Sequence, residues 1–310
     1  MELQFLGTGA GVPAKHRNVS GIALKLLDER NAVWLFDCGE GTQLQILRSN
    51  IRPRKIEKIF ITHLHGDHLF GLPGLLSSRS FQGGNEALEI YGPVGVAEFV
   101  KTALRVSQTR LAYPLKFIEL TRDSDVIFQD KQFTVRCKPL DHGIISFGYR
   151  VEEKDHEGEL QVDKLQAIGI PFGPLYGKLK RGETIHFEGQ ELNGREFVGT
   201  PKPGRIVTIL GDTRKTKNSI TLAENADVLV HESTFNKKEA QMARAYYHST
   251  THQAAEVAEA AGVRQLLLTH ISARYLTNDA LQLEKEAQEI FPATKIMRDL
   301  ECFDIPFAEV

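Results

Sequence analysis

Six consecutive residues constrain this chain more than any other feature: His63-Leu64-His65-Gly66-Asp67-His68. Four metal-capable side chains occupy six positions, directly after the apolar run from Ile59 to Thr62. In an extended strand alternate side chains share a face, so His63 and His65 converge on one ion. Gly66 lets the chain turn, and Asp67 falls where a helix N-cap carboxylate would sit, ahead of Leu69 to Leu72. Asp67 and His68 then face a second ion beside the first. Imidazole with carboxylate suits zinc. One hexapeptide cannot complete a two-metal site, so the fold must bring further donors to it.

Three candidates stand after predicted strands, where α/β proteins place their sites. His142 follows the run from Arg136 to Asp141. Asp212 follows Val207 to Gly211, the glycine leaving room for close approach, and His270 follows Leu266 to Thr269. Those strands belong to a long series. Glycine-punctuated strands are expected at Leu3–Leu6, Ile22–Leu27, Val33–Phe36, Ile56–Ile61 and Leu88–Tyr91, then at Leu115–Leu120, Val126–Phe128, Phe133–Cys137 and Phe147–Val151. Shorter ones follow at Ile206–Leu210, Val228–Val230 and Leu266–Leu268, and the span Lys295–Ile305 reads as one final strand. Helical spacing marks Val94 to about Val106, Thr251–Ala261 closed by Gly262, and Ala280–Phe291. Strands and helices thus come in two successive blocks, each able to form a sheet covered by helices. From about Glu152 to Pro203 the texture changes. Charge, glycine and proline rise and apolar periodicity fades, so residues 152–203 read as an excursion from the core of one domain spanning 1–310.

Composition narrows the field. At 310 residues with 41% hydrophobic and 25% charged residues, the chain has material for a substantial core. Lys+Arg 38 against Asp+Glu 40 leaves a net charge of −2, so any polyanion site must come from a local patch. Cys38, Cys137 and Cys302 are odd in number and far apart. They fit neither a disulfide framework nor a CxxC metal site, and point to a reducing cytoplasm. No apolar run approaches the ~18 residues of a membrane span, and Met1 to Gln4 lacks a signal-peptide start. Gly7, Gly9 and Gly11 do not form a dinucleotide fingerprint, because the third glycine is misplaced and Pro13 follows. His16, His156, His186 and His252 are expected at the surface.

The pattern His-x-His-x-Asp-His, followed by single His, Asp and His at strand ends, resembles the metallo-β-lactamase superfamily. That resemblance implies an α/β (α+β) four-layer αβ/βα sandwich of two mixed sheets. It also implies a ligand set: His63, His65 and His142 on one zinc, Asp67, His68 and His270 on the other, and Asp212 bridging. Further stretches are similar to the ribonuclease Z family, which matures tRNA 3′ ends. They are Phe5 to Gly11, Pro13 to Asn18, Phe36 to Gln43, Phe70 to Leu75, His231-Glu232-Ser233-Thr234 (with Ser233 where the family has alanine), His248 to Thr251 and Thr269 to Tyr275. The resemblance runs essentially from end to end.

It implies a zinc-dependent endoribonuclease acting on precursor tRNA as a cytoplasmic homodimer of the short form, with two Zn²⁺ per subunit. Under it Asp67 orients or deprotonates water while ligating, His248 is the general acid, and Glu232 holds His248 and raises its basicity. Arg274 would grip a phosphate. Lys15, Arg17 and Asn18 would contact substrate, and residues 152–203 would form a protruding tRNA-binding arm with Lys178, Lys180 and Arg181 against the RNA backbone. Two other readings are open to the same residues. One is a thioesterase or small-molecule phosphodiesterase on the same scaffold, for which a fifty-residue excursion has no use. The other is a non-catalytic RNA-binding subunit, which would be expected to have lost ligands.

Overall fold

The computed structural model describes residues 1–308, without the side chains of residues 277 and 278. Two compact units are present among the described residues: residues 1–152 with 206–306, and residues 153–205 with Phe307 and Ala308. In the first, fourteen strands build two seven-stranded sheets. They are β1 Glu2–Gly7, β2 Gly21–Leu26, β3 Ala32–Phe36, β4 Ile56–Phe60, β5 Leu88–Pro93, β6 Leu115–Leu120, β7 Val126–Gln129, β8 Phe133–Pro139, β9 Phe147–Glu153, β10 Ile206–Leu210, β11 Val228–Glu232, β12 Gln265–Thr269, β13 Thr294–Ile296 and β14 Cys302–Asp304. The first sheet runs β14-β1-β2-β3-β4-β5-β6 and the second β13-β12-β11-β10-β9-β8-β7. Both are mixed: β3 to β6 and β10 to β13 pair in parallel, whereas β1 with β2 and β9 with β10 are antiparallel.

The side-chain period of two explains the layering. Along β12, Leu267 enters a core shared by both sheets, while Leu266 and Leu268 face a different cluster. On β11, Val228 and Val230 enter the shared core and Leu229 turns away. The shared core is aromatic. Phe36 stacks on Phe60 at 4.9 Å and Phe60 on Tyr91 at 4.8 Å, with Trp34 meeting Phe133 of the opposite sheet edge-on at 5.4 Å. Helices Thr42–Leu47, Leu72–Phe81 and Val96–Val106 cover the outer face of the first sheet. Lys217–Ala223, Thr251–Ala261 and Thr277–Gln288 cover that of the second. The result is the expected four-layer αβ/βα sandwich. Helix Thr251–Ala261 has its expected bounds, because Thr250 and Gln253 form a capping box and Gly262 adopts φ 64°.

Three expectations need correction. The span Lys295–Ile305 is not one strand: β13 belongs to the second sheet and β14 to the first. Between them the chain crosses over, with Leu300 in the left-handed region at φ 65°. The first sheet's β4 ends at Phe60, so His63 and His65 lie in an extended loop beyond it. Asp67 is not an N-cap either: the cap position is His65, and Asp67 lies in the first turn of the short helix Gly66–Leu69.

The second unit has its own small core. Leu165, Ile170, Tyr176, Leu179 and Ile185 are buried together, drawn from helices Val162–Ala167 and Pro174–Lys180, the segment between them, and the hairpin Thr184–Phe187/Gln190–Asn193. A bidentate pair within this unit, Glu153 with Arg205 at 2.7 and 2.9 Å, closes the two chain ends of the 153–205 segment on each other.

Candidate metal centre

The second sheet anchors the chain just ahead of the histidine knot. Tyr149 donates its hydroxyl to Ile61 O at 2.6 Å, and Phe147 N donates to Thr62 O at 2.9 Å. Strand ends of that sheet then deliver His142, Asp212 and His270 to the same place. His63, His65 and His142 form one group of mutually close donors, and Asp67, His68 and His270 another. Asp212 lies between, its carboxylate 3.7 Å from His63 Nε2, 3.5 Å from His68 Nε2 and 3.2 Å from His270 Nε2. The structure thus brings all seven sequence-predicted donors together.

Hydrogen-bond logic fixes which nitrogens carry protons. Thr62 donates its hydroxyl to Asp37 at 2.8 Å, so it accepts from His63 Nδ1 at 3.0 Å. The remaining His63 nitrogen, Nε2, is fully buried and has no hydrogen-bond partner. His68 Nδ1 donates to Asp37 at 2.7 Å. Thr234 donates to Glu232 at 2.8 Å and therefore accepts from His270 Nδ1 at 2.9 Å. His142 Nδ1 donates to the Tyr247 carbonyl at 2.9 Å. With those protons placed, each of these rings, when neutral, turns its Nε2 lone pair inward. The Nε2 atoms of His68 and His270 face each other at 3.3 Å, both 3.4 Å from an Asp67 oxygen. Buried acceptors without donors are costly, and a cation between them removes the cost. The donor set therefore fits metal ions of the imidazole and carboxylate-binding class.

Electrostatics agree. Burial holds His63 far below its ordinary pKa, with the charge of His68 adding to it. Burial also opposes charge on His68, but Asp212 and Asp37 outweigh it and raise that group well above its usual value. Asp212 and Asp67 resist burial in the same way and sit well below the carboxylate range, held there by the neighbouring histidines. Without a cation, protons must fill the cluster.

Asp67 also accepts from Gly11 N at 2.8 Å, which draws the N-terminal glycine loop onto the centre. His248 stands at the edge, its Nδ1 donating to Glu232 Oε1 at 2.9 Å and its Nε2 left for the cleft. The cleft holds about 450 Å³ and is walled by Gly11, Asp67, Phe235, Tyr246, His248 and Arg274 among others. Arg274 meets Glu239 at 2.8 Å and lies over the Phe235 ring. Lys15 is exposed. Arg17 and Asn18 are placed differently from expectation. Arg17 Nη1 donates to Thr8 Oγ1 and the Met297 carbonyl, and Asn18 N donates to Asp299, so both anchor their loop. Lys178, Lys180 and Arg181 are exposed in the 153–205 unit, Arg181 pairing with Glu183 at 2.6 Å. His231 is fully buried and turned onto the Glu232 carbonyl.

Sequence reasoning missed Asp37, Thr234, Gly11 and Asp299. Asp37 ends a strand just as Asp212 does, so the same strand-end signal would have found it. Gly11 and Thr234 lie in stretches that carry the family resemblance without a role of their own there, and Asp299 carries no local signature.

Two mixed sheets back to back under helices, with a histidine–aspartate centre at their strand ends, define an enzyme of the metallo-β-lactamase fold. At the level of fold alone, the metallo-β-lactamase fold protein YhfI from Bacillus subtilis superposes with TM-score 0.67 at 19% identity, covering 97% of this chain and 98% of its own. Human tRNase Z, short form, superposes with TM-score 0.73 at 32% identity over 99% of this chain and 100% of its own. Ribonuclease Z of Enterococcus faecalis V583 is 81% identical over 308 residues, 99% of this chain and 98% of the relative. The chain belongs to the ribonuclease Z family. A family model described as anti-Pycsar protein Apyc1 matches residues 1–113, a stretch that ends before His142. Among the described residues, no helix is long and apolar enough to cross a membrane.

Proposed function

We propose that this ribonuclease Z family member is a zinc-dependent endoribonuclease that cuts precursor tRNA on its 3′ side, leaving a 3′-hydroxyl on the tRNA and a 5′-phosphate on the trailer. A hydrolytic endonuclease of tRNA processing follows from the family. The metal, the residue roles and the product ends are our reading. The observation that carries it is the buried, partnerless Nε2 of His63 amid six further inward-facing donors.

His63, His65 and His142 would hold one zinc, Asp67, His68 and His270 the second, with Asp212 between. Two such ions, when bound, supply a water of lowered pKa and positive charge against phosphate oxygens. Asp67, held by Gly11 N, would orient that water and accept its proton. His248 offers Nε2 to the departing ribose oxygen. Glu232, itself bound by Thr213 N and Thr234, keeps the His248 ring in that orientation and favours its protonated form. Arg274, beside the cleft, is available to a flanking phosphate once it leaves Glu239. Residues 152–203 serve as the arm that holds tRNA, with Lys178, Lys180 and Arg181 as point charges for its backbone. The protein works as a cytoplasmic homodimer.

Purified protein, precursor tRNA and mapping of both product ends test this directly, alongside metal content by elemental analysis. Water attack predicts a 3′-hydroxyl and a 5′-phosphate, with two zinc equivalents in active protein. A 2′,3′-cyclic phosphate, which marks attack by the neighbouring ribose hydroxyl, would refute the mechanism.

A further inference from the structure

We propose that Arg214, which is not among the donors, is a positioning residue for both His142 and His248, acting through Asp141 and Tyr247. Its guanidinium forks onto Asp141, the neighbour of His142, with Nε and Nη2 each at 3.0 Å from a carboxylate oxygen. The two backbones are joined as well: Arg214 N donates to Asp141 O at 2.9 Å, and Asp141 N to Thr213 Oγ1 at 3.2 Å. The guanidinium carbon of the same side chain lies over the Tyr247 ring, 4.3 Å from its centroid. Tyr247 is the residue whose carbonyl takes the His142 Nδ1 proton, and it directly precedes His248.

Tyr247 has φ 60°, a left-handed conformation that costs a residue with a side chain about 1 kcal/mol and needs outside support. The helix end supplies part of it, Tyr247 N reaching Arg244 O at 3.4 Å and His248 N reaching Ala243 O at 2.8 Å. Arg214 adds to it through the Tyr247 ring, and Ser249 Oγ adds to it through its bond to Thr213 O at 2.6 Å. One arginine thus ties three loops, at 141–142, 212–214 and 247–249, each carrying a residue of the centre.

Global stability does not explain the arrangement. Arg214 and Asp141 are 31% and 43% exposed, and pairs so exposed contribute at most about 1 kcal/mol. What the pair does fix is direction. Without it the peptide that carries the Tyr247 carbonyl is held by the bond from His248 N to Ala243 O alone, and the acceptor that keeps His142 Nε2 unprotonated and inward loses a restraint. Lysine cannot substitute, because a point charge neither forks onto a carboxylate nor lies flat on a ring.

This inference rests on the metal reading of the site. Zinc affinity is measured by chelator competition on wild-type protein, Arg214→Ala, Arg214→Lys and Tyr247→Leu, with kcat, KM for precursor tRNA and thermal unfolding recorded on each. Arg214→Ala is expected to weaken zinc binding 10- to 100-fold and lower kcat, with KM within about twofold and unfolding within a few degrees of wild type. Arg214→Lys is expected to recover less than half of that loss on a logarithmic scale, and Tyr247→Leu to fall between. Wild-type zinc affinity in Arg214→Ala, or a raised KM as its only defect, overturns the proposal and makes Arg214 a substrate contact. Should the alanine variant fail to fold, wild-type zinc affinity in Arg214→Lys overturns it equally. Failure of the wild-type protein itself to bind zinc would sink the metal reading as well as this one.

Discussion

Replacing Glu232 by glutamine keeps the shape of the side chain and removes one acceptor, and the structure shows where that deficit goes. Glu232 is 1% exposed and accepts four hydrogen bonds. Thr213 N and His248 Nδ1 reach Oε1 at 3.1 and 2.9 Å, and Thr234 N and Thr234 Oγ1 reach Oε2 at 3.1 and 2.8 Å. A glutamine amide has one oxygen, so its NH2 must oppose one of these pairs. Placed toward Thr234, it strands a backbone N–H and forces the hydroxyl to reverse. That hydroxyl accepts from His270 Nδ1, so His270 must change tautomer and lose its inward lone pair. Placed toward Thr213, it strands the other backbone N–H and forces the same change on His248. Either way one buried donor is orphaned, at about 1–3 kcal/mol, and a charge-assisted bond worth roughly 1.5–3 kcal/mol is lost.

Glu232→Gln should therefore destabilise the protein by roughly 2–5 kcal/mol and lower kcat about 10²- to 10⁴-fold, the usual worth of a positioned general acid. The sign with pH follows from His248. Burial opposes its charge, but Glu232 outweighs burial and raises its pKa from 6.5 to about 9 in the metal-free protein. A raised histidine contributes stability that is complete below 6.5 and is lost as pH rises through about 9, up to roughly 3 kcal/mol here. Urea unfolding of metal-free wild type at pH 6 and pH 10 should show that loss, and Glu232→Gln should flatten it. Equal stability of the two proteins at pH 6, together with kcat within threefold, would refute the reasoning.

Asp67→Ala removes a donor and the acceptor of Gly11 N at once; cleavage should vanish, while tRNA affinity by filter binding stays within a few-fold. Deleting residues 152–203 should abolish tRNA cleavage but spare a small phosphodiester such as bis(p-nitrophenyl) phosphate, and surviving tRNA processing would dismiss the arm. Chelating the metal should lower the midpoint of thermal unfolding, since ligand at 1,000 times its Kd stabilises by about 4 kcal/mol. Trp34→Ala empties the middle of the shared core, where Trp34 is wholly buried against Phe60, Phe128 and Phe133; a loss of about 3–5 kcal/mol in urea unfolding is expected.

What the sequence made legible follows a simple division. Elements buried on both faces, such as β11 and β12, announce themselves as short apolar runs, and Thr251–Ala261 is bounded by a start signal at Thr250 and a stop signal at Gly262. The seven donors were legible because four are adjacent and three end such runs. Lys295–Ile305 misled because each half has strand texture, and only tertiary structure assigns them to different sheets. Arg17 and Asn18 read as a basic loop, yet their partners Met297 and Asp299 lie about 280 residues away in the chain. Loop conformation set by contacts at that separation leaves no periodic trace.

The distribution of donors carries a physical consequence. His63, His65, Asp67 and His68 follow a strand of the first sheet, whereas His142, Asp212 and His270 follow strands of the second. Neither sheet alone can assemble the centre, so metal binding draws on the same aromatic core that joins them, and affinity becomes a reporter of their packing. Strain is concentrated at the same place. Of the eight non-glycine residues described with positive φ, three are Asp37, Tyr247 and His270, each touching or forming the donor set. A left-handed residue turns the chain back on itself after a strand, as at Asp37 and His270, or after a helix, as at Tyr247, and so helps aim side chains inward. These turns are unfavourable locally, at about 1 kcal/mol apiece, and persist because the surrounding hydrogen bonds over-determine them. The centre is therefore imposed by the whole sandwich, and substitutions in its supporting bonds should act on metal affinity before they act on fold.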